Sequence, residues 1–292
     1  MKVGPPTLRV RDLRKELLFY EEQMGLRVSR RFKDETENLE LVELGLKRNS
    51  SGDEGLPLLT LKHDPDARDA PRDSAGLFHF AILVPDRKSL ASTFFALEKS
   101  NVPFHGFADH LVSESLYLYD PEQNGIEIYR DKPRNEWQRD QKGHVVMDTL
   151  PLDLESVMKE LTEQERRSAT TFPREAIIGH MHLRVRNLQR SLTFYQEKLG
   201  FKLTADWSAH GADFLAFGDY HHHLGINTWS SLDGKSHLDG EAGLDQLVLV
   251  SQDRSQLDVL AASFEDGIVE RNRDEISLAD PDGIRIVIRT SS

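Results

Sequence analysis

The chain has 292 residues, 38% of them hydrophobic, and a formal net charge of −12, which is enough apolar material for two ordinary domains and too acidic for a nucleic-acid or anionic-membrane partner, since phosphate binding needs a basic footprint. It contains no cysteine, which removes disulfides, thiolate metal sites and cysteine nucleophiles, so any metal must be held by nitrogen and oxygen. The opening MKVGPPTLRVRDL lacks the apolar core of a signal peptide and no apolar run approaches membrane-spanning length, so the expectation is a soluble cytoplasmic protein with a small-molecule ligand.

The first pattern is a short strand ending at Val10, a helix capped by Asp12 that carries Phe19 and Tyr20, and Gly25, which closes the helix before further strands. The polar stretches Ser50 to Gly55 and Asp64 to Ser74 read as exposed loops. A second strand-and-helix pattern runs from Gly76 through His79 and Asp86 to Leu90. Val112 to Tyr119 then reads as a strand, with Leu116 and Leu118 alternating against Ser115, Tyr117 and Tyr119. An Asp-Pro-Glu-Gln-Asn-Gly turn follows, and a further strand opens at Ile126. That strand sets Glu127 between two isoleucines, where an unpaired carboxylate is costly and a cation would relieve it; taken alone, Glu127 fits the solvated face of an edge strand better. Asp131 to Glu175 is a polar connection with one expected helix, Leu154 to Arg166, behind Asp153.

The remainder repeats what came before. Val10-Arg11-Asp12-Leu13, Phe19-Tyr20 and Gly25 recur without a gap as Val185-Arg186-Asn187-Leu188, Phe194-Tyr195 and Gly200. The pattern opening at Gly76 recurs at Gly243, and Asp120-Pro121 with Gly125-Ile126-Glu127-Ile128 is matched by Asp280-Pro281 with Gly283-Ile284-Arg285-Ile286. The repeats predict an α+β fold of four βαβββ modules, at 1–70, 76–131, 177–232 and 242–292, with 132–176 as the connecting segment.

This order, with VRNLQRSLTFYQEKLGF and DPEQNGIEIY, resembles the vicinal oxygen chelate superfamily of glyoxalases, bleomycin-resistance proteins and dioxygenases. The resemblance implies two half-open β-barrels with helices outside, each built from two modules, and metal ligands on the first and last strands of a module. His79 and His180 stand at the first-strand place, five residues before Val84 and Val185, and Glu127 at the last-strand place. Pro5, Gln246 and Arg285 fall on the matching places of modules one and four. Pairing module two with three, and one with four, would bring His79, His180 and Glu127 to one ion, a two-histidine, one-carboxylate set suited to Fe(II) and open to Mn(II). His182, two residues on and on the same strand face, competes with His180.

The stretch from His110 to Glu127 is similar to the signature of extradiol ring-cleaving dioxygenases of the catechol 2,3-dioxygenase branch. His110, Leu116-Tyr117, Asp120-Pro121 and Glu127 take its places, while Ala108 and Gln123 depart from it. A further histidine of that group fits best at His222 in Tyr220-His221-His222-His223-Leu224-Gly225, and which of the three histidines faces the cleft stays open. The resemblance implies cleavage of a catechol-type aromatic by dioxygen in aromatic-hydrocarbon catabolism. His222 would exchange protons, and His110 and Tyr117 would orient the substrate oxygens. Hydroquinone cleavage, a glyoxalase-like isomerase and a resistance-type binding protein are the alternatives, and a homo-oligomer is left open.

Overall fold

The computed structural model describes residues 1–34, 36–46, 57–264 and 268–290; the loop expected at Ser50 to Gly55 lies outside the described residues. After a short strand β1 (Lys2–Val3), the order strand, helix and three strands occurs four times. It runs β2 (Thr7–Val10), α1 (Leu13–Leu17), β3 (Arg27–Lys33), β4 (Glu40–Gly45) and β5 (Pro57–His63); then β6 (Gly76–Val84), α2 (Arg87–Lys99), β7 (Gly106–Asp109), β8 (Ser113–Tyr119) and β9 (Gly125–Asp131). After β10 (Leu150–Pro151), α3 (Leu154–Met158) and α4 (Glu163–Arg167) come β11 (Ile177–Arg184), α5 (Leu188–Glu197), β12 (Lys202–Trp207), β13 (Ala212–Ala216) and β14 (Leu224–Asn227). The last set is β15 (Gly243–Ser251), α6 (Arg254–Ser263), β16 (Ile268–Arg271), β17 (Glu275–Ala279) and β18 (Arg285–Thr290). The α+β class read from the repeats is the class observed. Among the described residues no helix is long and apolar enough to cross a membrane.

Local chemistry explains the repetition. Asp12, Asp86, Asn187 and Asp253 each accept a backbone N–H three residues on, which starts α1, α2, α5 and α6. α1 continues as a wider π-helical segment, Leu18–Gln23, before Gly25 turns the chain out at φ 73°, as Gly200 does after α5 at φ 75°. The single helix expected over Leu154 to Arg166 is instead two short ones, because Thr162 and Glu165 form a reciprocal capping box that begins a new helix.

The chain divides into two compact units, one of Val10–Pro65 and His79–Gly179, the other of Met1–Arg9, Asp66–Phe78 and His180–Ser292. In the first, the strands run β10-β7-β8-β9-β6, with β3, β4 and β5 as an antiparallel meander. β9 lies parallel to β6 with Ala81 opposite Glu127, and antiparallel to β8 with Tyr117 opposite Glu127. In the second unit the strands run β11-β14-β13-β12 and β16-β17-β18-β15-β2.

Each unit is closed by the same grip of a turn on a helix. Tyr20 Oη donates to Asp120 Oδ2 at 2.9 Å, and Tyr195 Oη donates to Asp280 Oδ2 at 2.9 Å. Glu122 accepts the backbone N–H groups of Arg11 and Asp12 at 2.7 and 2.8 Å, and Asp282 accepts that of Arg186 at 3.1 Å. Both turns close identically, Asp120 N–H on Asn124 O and Asp280 N–H on Ile284 O. Gln123, at φ 69°, holds the left-handed place that Gly283 holds at φ 87°. This corrects the motif alignment at the fourth module. The two turns have equal length, and Val248 opposite Val287 matches Ala81 opposite Glu127, so the residue equivalent to Glu127 is Val287 and not Arg285. Arg285 instead donates from Nε to Ser277 Oγ at 2.9 Å and pairs with Glu270 at 2.7 Å.

Candidate functional site

In the first unit, His79 enters from β6 and Glu127 from the adjacent parallel strand β9, and His79 Nε2 lies 2.9 Å from Glu127 Oε2. Both are buried, with 6% and 3% of their surface exposed. Two bulky neighbours, Phe80 and Ile126, are also enclosed, so the pair is shielded from water and its electrostatic interaction is strong.

Tyr117 stands opposite Glu127 on β8, its ring 5.7 Å from that of His79. Burial, and after it the Glu127 carboxylate, push the phenol well above its ordinary range, so Tyr117 keeps its proton and remains a donor. His110 joins it: Nε2 lies 2.7 Å from Tyr117 Oη, and Nδ1 lies 2.9 Å from the carbonyl oxygen of Asp148. A carbonyl only accepts, so Nδ1 carries the proton and Nε2 of the neutral ring accepts from Tyr117. The structure thus brings His79, Glu127, Tyr117 and His110 into one chain of contacts, all on β6, β8, β9 and the turn after β7.

In the second unit, His180 and His182 alternate on one face of β11, and both are buried. The ring of His180 is 4.2 Å from that of His222 and 6.4 Å from that of His221. His221, His222 and His223 lie in the bend that precedes β14, so strand alternation does not decide which of them faces the cleft. His221 and His222 are both buried and their Nδ1 atoms are 2.7 Å apart. One of the two must donate and the other accept, which ties the tautomer of His222 to that of His221. His221 was not singled out from sequence, and only the turn conformation reveals it.

His182 has other company. A Cβ on Gly225, its neighbour across the ladder, would lie 2.9 Å from His182 Cγ, so the imidazole packs where only glycine leaves room. Its ring also meets Phe78 at 5.0 Å, Phe214 at 5.7 Å and Trp229 at 5.5 Å.

A family model described as the Glyoxalase/Bleomycin resistance protein/Dioxygenase superfamily matches residues 2–128 and 177–288. The chain is 36% identical over 260 residues to a catechol-2,3-dioxygenase of Bacillus subtilis (strain 168), an alignment covering 89% of this chain and 86% of that protein. Among solved structures it is similar to a Bacillus subtilis protein provisionally described as a dioxygenase, with a TM-score of 0.65 and 16% identity over 99% of this chain and 85% of that one. It is also similar to glyoxalase I from Zea mays, with a TM-score of 0.58 and 18% identity over 99% of this chain and 92% of the other. At such identities the two structures are alike in fold.

Proposed function

The chain belongs to the glyoxalase/bleomycin resistance protein/dioxygenase superfamily, and we propose that it is an extradiol dioxygenase that opens a catechol-type aromatic ring with dioxygen, using Fe(II) held by His79, Glu127 and His180. Mn(II) suits the same donors. What supports this reading is the buried pair of His79 and Glu127, whose Nε2 and Oε2 lie 2.9 Å apart, together with a buried His180 at the matching place of the repeat, in a chain 36% identical to a catechol-2,3-dioxygenase.

The donor chemistry fits the ion. Two imidazoles and one carboxylate leave coordination positions open, and the chain has no thiolate to compete. His79 Nε2 and Glu127 Oε2 face each other at 2.9 Å, and a divalent cation would take the place of a proton between them. When bound, the ion supplies a Lewis-acidic centre at which diol and dioxygen oxygens can gather.

The chain's own residues orient the substrate and handle protons. Tyr117 keeps its hydroxyl proton beside Glu127 and donates it to His110 Nε2, so towards the substrate its oxygen would accept a hydrogen bond from a diol hydroxyl. His222 shares a hydrogen bond through Nδ1 with His221 and its ring lies 4.2 Å from that of His180, so it would give or take a proton beside the proposed ligand.

The test is anaerobic loading of the protein with Fe(II), followed by catechol and then air, with the yellow ring-opened product followed by absorbance. Glu127→Ala and His79→Ala are expected to lose stoichiometric iron while far-UV circular dichroism is unchanged. Stoichiometric iron in both variants would remove the assigned site, and absence of product from several iron-loaded diol mixtures would remove the activity.

A further inference from the structure

We propose that Lys132 and Asp109 are positioning residues: they lock the turn that carries His110 in a left-handed conformation, and so fix the His110 tautomer that accepts a hydrogen bond from Tyr117. The inference rests on the dioxygenase reading and adds to it the residues that aim one of its orienting groups.

The turn between β7 and β8 holds a strained residue. Leu111 follows His110 at φ 68°, a left-handed conformation in which the Cβ of a bulky residue crowds the next carbonyl oxygen. The matching hairpins of the first and third modules place Asn38 at φ 58° and Gly211 at φ 73°, residue types that take this conformation readily. The second module carries leucine there, in the turn that presents His110. Such a backbone persists where neighbouring groups hold it in place.

Two side chains do so. Asp109 Oδ1 accepts the backbone N–H of Leu111 at 2.8 Å, and Lys132 Nζ donates to both Asp109 oxygens, at 2.7 and 2.6 Å. Burial disfavours the Asp109 carboxylate, but the bonds from Lys132 and from Leu111 N–H outweigh it and hold its pKa below the ordinary value. The acceptor therefore stays charged. Lys132 is fixed through its own backbone, its N–H donating to the carbonyl oxygen of Val112 at 2.8 Å and its carbonyl oxygen accepting from Trp137 Nε1 at 2.9 Å. Its ammonium group thus reaches Asp109 from a main chain tied to the same turn. The side chains of Lys132 and Asp109 are 18% and 24% exposed, so water screens this pair less than a pair on the open surface.

The held turn aims the ring. His110 Nδ1 meets the carbonyl oxygen of Asp148 at 2.9 Å, and Nε2 meets Tyr117 Oη at 2.7 Å. Asp148 is brought there by β10, whose Leu150 lies opposite Asp109 on β7. The imidazole has a carbonyl at one nitrogen and a phenol at the other, and the neutral ring with its proton on Nδ1 satisfies both. A change of φ at Leu111 redirects the chain between His110 and β8, the strand that carries Tyr117, and so separates the two groups.

The experiment reads the His110 ring by heteronuclear NMR of the metal-free protein with isotope-labelled histidine, using His110→Phe to assign its signals. The wild type is expected to show one neutral tautomer, with the proton on Nδ1. Lys132→Ala should move both nitrogen signals towards the average of two exchanging tautomers, and Lys132→Arg should keep the wild-type signals. Leu111→Gly added to Lys132→Ala should restore them, because glycine takes φ 68° without strain. Wild-type signals in Lys132→Ala would overturn the lock, as would averaged signals in the wild type or no restoration by Leu111→Gly. After Fe(II) loading, Lys132→Ala should retain its iron and open catechol about tenfold more slowly than the wild type. An unchanged rate in a Lys132→Ala protein whose tautomers are averaged would overturn the part of the lock in the reaction. A wild type that opens no diol, with the tautomer shifts as expected, would overturn the dioxygenase reading and leave the lock on His110 standing. Should Lys132→Ala fail to fold, Lys132→Gln decides the same signals.

Discussion

Glu16→Gln is expected to stabilise the protein at neutral and alkaline pH and to do the reverse in acid. Glu16 lies in α1 with none of its surface exposed, and neither carboxylate oxygen has a hydrogen-bond partner. Burial, followed by the neighbouring carboxylates of Asp120 and Glu122, raises its pKa from 4.5 to about 9. An acid whose folded pKa lies above its unfolded value takes up a proton on folding. Its contribution is therefore whole below pH 4.5 and is lost as pH rises towards 9. Between pH 4.5 and about pH 7.5 the loss is about 4 kcal/mol, at ~1.4 kcal/mol per pH unit. Glutamine removes that term and costs about 2 kcal/mol for its buried amide, less if the amide donates to Asp120 or Glu122. The net expectation is a gain of about 2 kcal/mol near pH 7.5 and a loss of about 1 kcal/mol near pH 5. Urea unfolding of the metal-free protein at both values, read from midpoints at constant slope, measures it. Parallel stability profiles for wild type and variant across that range would refute the reasoning, because the pH dependence assigned to Glu16 would then belong elsewhere.

The remaining expectations concern the site and its supports. His222→Phe should retain iron and slow turnover by about two to four orders of magnitude; if His221→Phe does so instead, the two imidazoles exchange roles. Gly179→Ala should destabilise by about 3 kcal/mol or more, because a Cβ there would run into Tyr129 Oη and come within 3.0 Å of Leu83 Cβ, and Tyr129 is wholly buried; thermal unfolding checks it. Tyr20→Phe and Tyr195→Phe should each cost about 1–2 kcal/mol by removing a buried donor from Asp120 or Asp280. Only Tyr20→Phe should also weaken iron binding in a chelator competition, since the turn it holds leads into Glu127.

Much of this was legible in the residues because the chain states its plan four times. The helix caps Asp12 and Asn187, the closing glycines Gly25 and Gly200, and the Asp-Pro turns are local signals, and each does locally what its chemistry dictates. The count of five from His79 to Val84 recurs from His180 to Val185, and such a count carries from one copy to another because a strand advances a fixed distance per residue. The fourth-module alignment failed for a physical reason. Gly125 and Gly283 look equivalent as letters, but only Gly283 is in the left-handed region, where its counterpart is Gln123. A turn's backbone conformation is not written in one residue type. The break at Thr162 could have been found from its capping box with Glu165. The packing of His182 at Gly225 could not, because it depends on a register between strands far apart in sequence.

The repeated grip explains how donors can be lost without losing the fold. Asp120 and Asp280 are each held by a tyrosine and by the backbone of their own turn, and none of these contacts involves a metal ligand. Closure of a unit therefore does not depend on what stands seven residues beyond the aspartate. In one copy that residue is Glu127, buried against His79; in the other it is Val287, buried against apolar strands with 4% of its surface exposed. A carboxylate without a cation is expensive in such a place and a valine is not, so a copy freed from binding would shed the acid and keep the aspartate. The position of Glu16 fits the same division: its counterpart Ser191 donates to Asp282 Oδ2 at 3.1 Å, while Glu16 meets Asp120 and Glu122 as a third acid. The copy that carries Glu127 thus also carries a buried acid that its surroundings keep protonated near neutral pH, and the stability of that unit and its proposed chemistry are set by different residues.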